Sequence, residues 1–295
     1  MERTTIDIDG PVSVIEYGGE GPTMVCVHGL EGSAYNWRLV ANHFAKSFRV
    51  VAPDLRGFGY TEPGNNDVTV EHNGGLVAQV IKHYGPNAIL VGNSMGGLVS
   101  MLTAARHADL VSGLILVDPA GPVASWSRVD PSRALALAAP MVPGLGERIV
   151  KAYRSARTPE EGVAESYEFV AAKPALVNPD AYADALEIAR LRRTQAWSAS
   201  TLVRATRSIA PYVVTKGRYR AVLHRIHQPT LLMHGTEDGV IQLATARWIA
   251  AERPDWTTVY LKDIAHVAMI EEPDKFIDIV DTWLEGLALV PDAGT

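Results

Sequence analysis

The sequence predicts an α/β protein: a mostly parallel, twisted sheet with helices on both faces, interrupted by an inserted helical block. Three observations carry this expectation. Short β-rich apolar runs alternate with helix-length segments up to Val117, the alternation stops at Pro119, and it resumes after Gln228.

Residues 12–17 alternate apolar and polar, as a half-buried strand does. Residues 23–27, 48–52, 88–91 and 113–117 are compact apolar runs, each followed by turn residues, as expected of parallel strands covered on both faces. Residues 34–46, 70–84 and 97–107 lie between or after them and have the length and pattern of helices. From 119 to about 225 no strand run occurs. Helical patterns broken by proline and glycine occupy 131–139, 159–172, 179–193, 198–209 and 218–226. Thr158 before Pro159 and Asn178 before Pro179 are helix-start signals. The sheet pattern returns with a strand at 230–233, a helix at 244–252, a strand at 257–261 and a helix at 273–284. The expected organisation is a core domain over 1–118 and 228–295, with a helical cap over 119–227 inserted between its two parts.

The formal charge of −6, with basic residues scattered along the chain, argues against a nucleic-acid partner, which needs a basic face to replace phosphate counterions. Arg190, Arg192 and Arg193 read as a solvated helix face. The single cysteine, Cys26, can form no internal disulfide, and its neighbours Met24, Val25 and Val27 place it in a buried strand. Residues 1–10 carry neither the basic start nor the apolar run of a signal peptide. No stretch approaches the ~18–20 uncharged apolar residues of a membrane span. A cytoplasmic protein is expected, its oligomeric state open.

The chemistry concentrates in Gly92-Asn93-Ser94-Met95-Gly96-Gly97, directly after one strand and directly before a helix. A G-x-S-x-G segment in that context makes a sharp strand-to-helix turn that lifts the serine out of the chain, with the helix N-terminus beside it. A serine hydroxyl needs a base at neutral pH. Of the nine histidines, His266 follows the strand 257–261 and so reaches the sheet edge where catalytic groups gather. His234, which also ends a strand, is the competitor, and His28 before Gly29 reads as shaping a turn. The orienting acid should also leave a strand end: Asp238 is favoured and Asp118 is the alternative, with Glu237 and Asp263 as decoys close in sequence. The oxyanion donors are expected to be the backbone N–H groups of Leu30 and Met95. Asp54 and Arg56, in Asp-Leu-Arg-Gly-Phe-Gly, read as turn-stabilising.

Together the His28-Gly29 turn, the stretch 54–59, the elbow at 92–96, Asp238 and His266 resemble the α/β-hydrolase superfamily across essentially the whole chain, with residues 119–227 in the place of its variable cap. The wording Gly-Asn-Ser-Met-Gly-Gly is similar to hydrolases that cleave carbon–carbon bonds of ring-fission products. Leu30-Glu31-Gly32 and Val267 stand where those enzymes usually carry a Gly-Pro-Gly loop and a tryptophan. The cap also resembles that of epoxide hydrolases and haloalkane dehalogenases, but these need an aspartate where Ser94 stands. The resemblance implies a serine hydrolase of carboxylic esters, without metal or organic cofactor, whose small-molecule substrate meets an apolar cap containing Trp126, Leu135, Leu137, Met141, Tyr153, Tyr167, Phe169, Trp197 and Tyr212. The alternatives are a carbon–carbon bond hydrolase that binds a dienone acid through a cap arginine such as Arg192, and a non-catalytic ligand receptor on the same fold.

Overall fold

In the computed structural model, residues 1–65, 67–124, 135 and 138–287 are described. The strands are β1 (Glu2–Asp7), β2 (Pro11–Gly18), β3 (Thr23–Val27), β4 (Arg49–Pro53), β5 (Ala88–Asn93), β6 (Val111–Val117), β7 (Thr230–Gly235) and β8 (Thr257–Leu261). Strands β3, β5 and β7 are buried at every position, and β6 at all but Ser112. Runs of this kind cannot face water on either side, and they occupy the middle of one eight-stranded sheet of order β1-β2-β4-β3-β5-β6-β7-β8. The β1–β2 and β2–β4 pairs are antiparallel; all others are parallel.

The sequence reading assigned no strand to residues 1–10. β1 is exposed or half-buried at every position except Ile6, so its apolar signal is thin, and it exists because it pairs with all of Pro11–Glu16.

Alternate residues of the central strands feed two cores, one on each face. Val25, Val27, Leu90, Leu114, Leu116 and Leu232 belong to the first. Met24, Cys26, Ile89, Val91, Ile115, Val117, Leu231 and Met233 belong to the second. The helices are α1 (Arg38–Phe44), α2 (Val70–Tyr84), α3 (Met95–Arg106), α4 (Gly146–Ser155), α5 (Pro159–Val170), α6 (Pro179–Thr194), α7 (Ser198–Val214), α8 (Lys216–Leu223), α9 (Leu243–Glu252), α10 (Ala268–Glu271) and α11 (Pro273–Gly286). α2, α3, α8 and α9 bury apolar side chains in the first core, such as Val77, Leu98, Tyr219 and Ile249. α1, α10 and α11 bury Phe44, Met269 and Phe276 in the second.

Between β6 and β7 the described residues form no strand; α4 to α8 fill the interval. Thr158 accepts from the Glu161 N–H while Glu161 returns the bond to Thr158, and Asn178 caps α6 through the Asp180 N–H. Two assignments differ. α4 begins at Gly146 with no side-chain cap, so no start signal marks it. α7 runs on through Pro211 to Val214, because a proline near the end of a helix forfeits one bond where burial of Tyr212 compensates. The expected helix at 131–139 falls largely outside the described residues. No helix among the described residues is long and apolar enough to cross a membrane.

The strand order reverses beside β3: the chain steps from β3 outward to β4, then returns to lay β5 on the other side of β3. Such a switch point opens a crevice beyond the carboxyl ends of the two strands, where ligands of parallel sheets bind. His28-Gly29-Leu30 leaves β3 there, and Ser94 leaves β5.

Candidate active site

Ser94 has φ 54 and ψ −120, a conformation L side chains rarely adopt, and its position is over-determined by its surroundings. The Ser94 N–H donates to the Val117 carbonyl (3.0 Å), and its carbonyl accepts from Ala120 N–H at 2.9 Å. The turn is possible only because Gly92 and Gly96, two residues to either side, have no side chains. A Cβ at Gly96 would lie 2.2 Å from the Val27 carbonyl oxygen, and one at Gly92 would lie 2.5 Å from the Gly96 oxygen. Neither obstacle is a flexible side chain. Gly96→Ala is therefore expected to lower stability by at least about 2–3 kcal/mol, read as a fall in the urea midpoint; an unchanged midpoint would contradict this packing.

The turn after β3 abuts the elbow. A Cβ on Gly29 would stand 3.2 Å from the Cβ of Ser94. His28 is fully buried and shapes this turn: Leu55 N–H donates to its Nε2 at 3.0 Å, leaving Nδ1–H to donate to the Gly29 carbonyl at 2.7 Å. Burial also pushes its pKa down, which keeps the ring neutral. The next backbone N–H groups, those of Leu30 and Met95, belong to the two segments that meet here.

His266 and Asp238 are brought together. His266 Nδ1 lies 2.8 Å from Asp238 Oδ2, and Asp238 Oδ1 accepts the N–H groups of Val240 (2.7 Å) and Ile241 (3.0 Å). Burial works against the Asp238 charge, but His266 and these donors outweigh it and hold the carboxyl below its usual range. With the Nδ1 proton directed at Asp238, Nε2 is left as the basic atom of the ring.

Two residues that sequence reasoning did not single out for a role fix this loop. Asn93 Nδ2 donates to the carbonyls of His266 (2.9 Å) and Val117 (3.1 Å), tying elbow to histidine. Glu271 accepts from the N–H groups of Ala172 (2.7 Å), Ala265 (3.1 Å) and Val267 (3.3 Å), bracketing His266. The only sequence signal for Asn93 was its place inside the elbow, and for Glu271 its place in the acidic stretch after His266.

The competitors are elsewhere engaged. His234 is fully buried, donates from Nε2 to the Ile241 carbonyl (3.1 Å), and presents Nδ1 to Asp118 Oδ1 at 3.3 Å. Asp118 accepts the Gly235 N–H at 2.8 Å and, among the described residues, makes no hydrogen bond to His266. Burial, and then the Asp238 charge, push the Asp118 carboxyl well above the usual range, toward the neutral form. Oxygen and nitrogen atoms of Asp118, His234 and Asp238 gather within 4.8 Å of one another, a donor set of the size a cation needs. Within it His234 Nε2 is committed to the Ile241 carbonyl, and Asp238 to His266, Val240 and Ile241.

Asp54 holds its own turn, whereas the Arg56 side chain holds the turn between β1 and β2. Asp54 accepts from Ala34 N–H (2.8 Å), Tyr60 N–H (3.0 Å) and Arg3 (2.9 Å), and Arg56 donates to the carbonyls of Ile8, Asp9 and Pro11. The three arginines of α6 divide. Arg190 and Arg193 are exposed, whereas Arg192, on a different side of the helix from both neighbours, turns inward to the Glu31 carbonyl. The solvated-face reading therefore fails for Arg192. Among the expected cap aromatics, Tyr167 and Tyr212 are buried in packing, Tyr153 is exposed, and Phe169 and Trp197 are half-buried; Trp126 and Leu137 lie outside the described residues.

The model of the alpha/beta hydrolase family matches residues 24–279, from β3 into α11. The chain belongs to the α/β hydrolase family. A 2-hydroxymuconate semialdehyde hydrolase from Pseudomonas sp. strain CF600 is 30% identical over 279 residues, 90% of this chain and 88% of that protein. A pimeloyl-[acyl-carrier protein] methyl ester esterase from Nitrosospira multiformis is 25% identical over 272 residues, 91% of this chain and 97% of that protein. A solved meta-cleavage product hydrolase from Pseudomonas fluorescens IP01 superposes with a TM-score of 0.76 at 22% identity, covering 96% of this chain and 98% of that one, which shows the shared fold. The relatives of this α/β hydrolase thus include both a methyl ester esterase and a semialdehyde hydrolase by name.

Proposed function

We propose that this α/β hydrolase cleaves carboxylic esters through an acyl-enzyme on Ser94, with His266 as base, Asp238 as its orienting acid, and the N–H groups of Leu30 and Met95 as oxyanion donors. The observation that carries the reading is the juxtaposition at one sheet edge: a strained Ser94 tied through Asn93 to the loop of a histidine whose Nδ1 faces a buried carboxylate at 2.8 Å. In the acylation step Ser94 Oγ attacks the ester carbonyl as its proton passes to His266 Nε2. The oxyanion is held by the two N–H groups, and the leaving alkoxide takes the proton from Nε2. Water then attacks the acyl group, giving its proton to Nε2, which returns it to Ser94 as the acid departs. Asp238 stabilises the imidazolium throughout and stays ionised. Helices α4 and α7, within the proposed cap at 119–227, roof this edge: Leu30 packs against Val150, Ala199, Leu202 and Val203. An apolar roof favours a hydrophobic acyl chain. The lone, buried Cys26 fits the reducing cytoplasm proposed for the protein.

The test is a series of kcat/KM values for p-nitrophenyl esters from acetate to dodecanoate, run beside one ring-fission dienone acid. Each methylene buried adds at most ~0.8 kcal/mol, close to a fourfold rise per carbon until the pocket is full. A flat, weak ester series with rapid dienone cleavage would overturn the ester reading in favour of carbon–carbon hydrolysis. A single-turnover burst followed by retained ligand would favour a receptor.

A further inference from the structure

Glu31 stands on the turn after β3, one residue beyond Leu30, with φ 58. Glycine or asparagine meets that conformation at less cost than glutamate, so the carboxylate is held there against a backbone preference. Its side chain reaches into the helices between β6 and β7. Oε1 is paired with Arg154 Nη2 of α4 and lies 4.0 Å from Arg192 Nη1 of α6, while Arg192 Nη2 donates to the Glu31 carbonyl. Arg154 is steadied in turn by Ser198 Oγ (2.9 Å), which donates to the Arg192 carbonyl (2.8 Å). Both arginine side chains keep only about a fifth of their surface exposed (19% and 21%), whereas the Glu31 side chain keeps 38%. Burial raises the Glu31 carboxyl, but Arg192 and then Arg154 outweigh it, so it remains ionised. Two inward-facing arginines beside a reacting carbonyl would ordinarily select an acidic substrate. Here the chain itself already engages them: the Glu31 carboxylate pairs with Arg154 and stands 4.0 Å from Arg192, whose other nitrogen donates to the Glu31 carbonyl.

We infer that Glu31 is a specificity-determining residue: by engaging Arg154 and Arg192 beside the oxyanion turn, it makes the site accept neutral acyl groups and reject acyl groups that carry a carboxylate. A substrate carboxylate entering this corner meets the Glu31 charge at close range in a poorly hydrated setting and finds the best donors of Arg154 and Arg192 already committed. The inference rests on the serine-hydrolase reading above and narrows its substrate class.

The test compares p-nitrophenyl hexanoate with mono-p-nitrophenyl adipate, equal in chain length and different by one terminal carboxylate. The natural chain should prefer hexanoate. In Glu31→Gln the adipate-to-hexanoate ratio of kcat/KM should rise roughly ten- to hundredfold, and Glu31→Gln/Arg192→Met should lose that gain. Glu31→Asn, neutral and at ease with positive φ, serves equally if the glutamine variant folds poorly. A ratio that changes less than twofold in folded Glu31→Gln or Glu31→Asn, or a natural chain that prefers the adipate ester, overturns the inference. Failure of the serine-hydrolase reading looks different: neither ester turns over in any variant. Calorimetric titration with free adipate then decides the matter, since its affinity must still rise on removal of the Glu31 charge if the inference holds, and an unchanged affinity refutes it.

Discussion

Replacing Ser94 with alanine is expected to lower kcat on p-nitrophenyl esters by about 10⁴–10⁶ while leaving the fold intact. The proposed nucleophile is removed, but the turn that presents it is not: the backbone bonds to Val117 and Ala120 involve no side-chain atom of Ser94, and Gly92 and Gly96 still make room. Alanine also relieves nothing at φ 54, so the unfolding midpoint should move little. A fluorophosphonate probe is the sharper readout, because only a base-activated serine beside oxyanion donors reacts readily with it. The natural chain should be labelled at Ser94 alone. Labelling that persists in Ser94→Ala would place the nucleophile elsewhere. A residual rate above background in the alanine variant is compatible with the assignment, since oxyanion donors and binding alone still accelerate the reaction.

Asp238→Asn is expected to cost about 10⁴ in kcat with little change in KM. An asparagine amide keeps the shape but loses the charge that offsets an imidazolium on His266, and it stabilises the ring tautomer with the proton on Nε2, where a base is needed. Asp118→Asn should cost far less. Burial and the Asp238 charge push Asp118 toward the neutral form; it spends Oδ1 on the Gly235 N–H and faces His234 rather than His266. The ordering of the two variants is the discriminating result. If Asp118→Asn were the more damaging, the acid would lie at the end of β6 and Asp238 would be its support.

The central sheet was legible because its signal is local. A parallel strand covered on both faces must be apolar at nearly every position, and β3, β5, β6 and β7 were each marked by such a run. Ser94 was legible for the same kind of reason: a sharp strand-to-helix turn demands glycines at fixed offsets, and no folding context is needed to see them. Asp238 and His266 could be narrowed to strand ends, but Asp118 and His234 end strands too. Which acid faces which histidine depends on how the loops after β6, β7 and β8 cross in space, and nothing local to either residue encodes that.

What the sequence by itself determined is the central strands with the helices that follow them and the glycine-flanked turn around Ser94, since periodicity and glycine spacing are properties of neighbours in the chain. What only the tertiary structure decided depends on long-range pairing. β1 exists through its ladder with β2 rather than its own apolar content, and α7 passes Pro211 because Tyr212 is buried beyond it. Asn93 and Glu271 hold the His266 loop through its backbone N–H and C=O groups, which no side-chain pattern in the sequence marks. Arg192 left the solvated face assigned to it because α6 lies against the turn after β3, so that one position on the helix meets Glu31 while Arg190 pairs with Glu160 at the surface and Arg193 meets the carbonyls of Arg154 and Arg157. A guanidinium looks the same in a sequence whether it faces solvent or a carboxylate; the packing of the helix chooses.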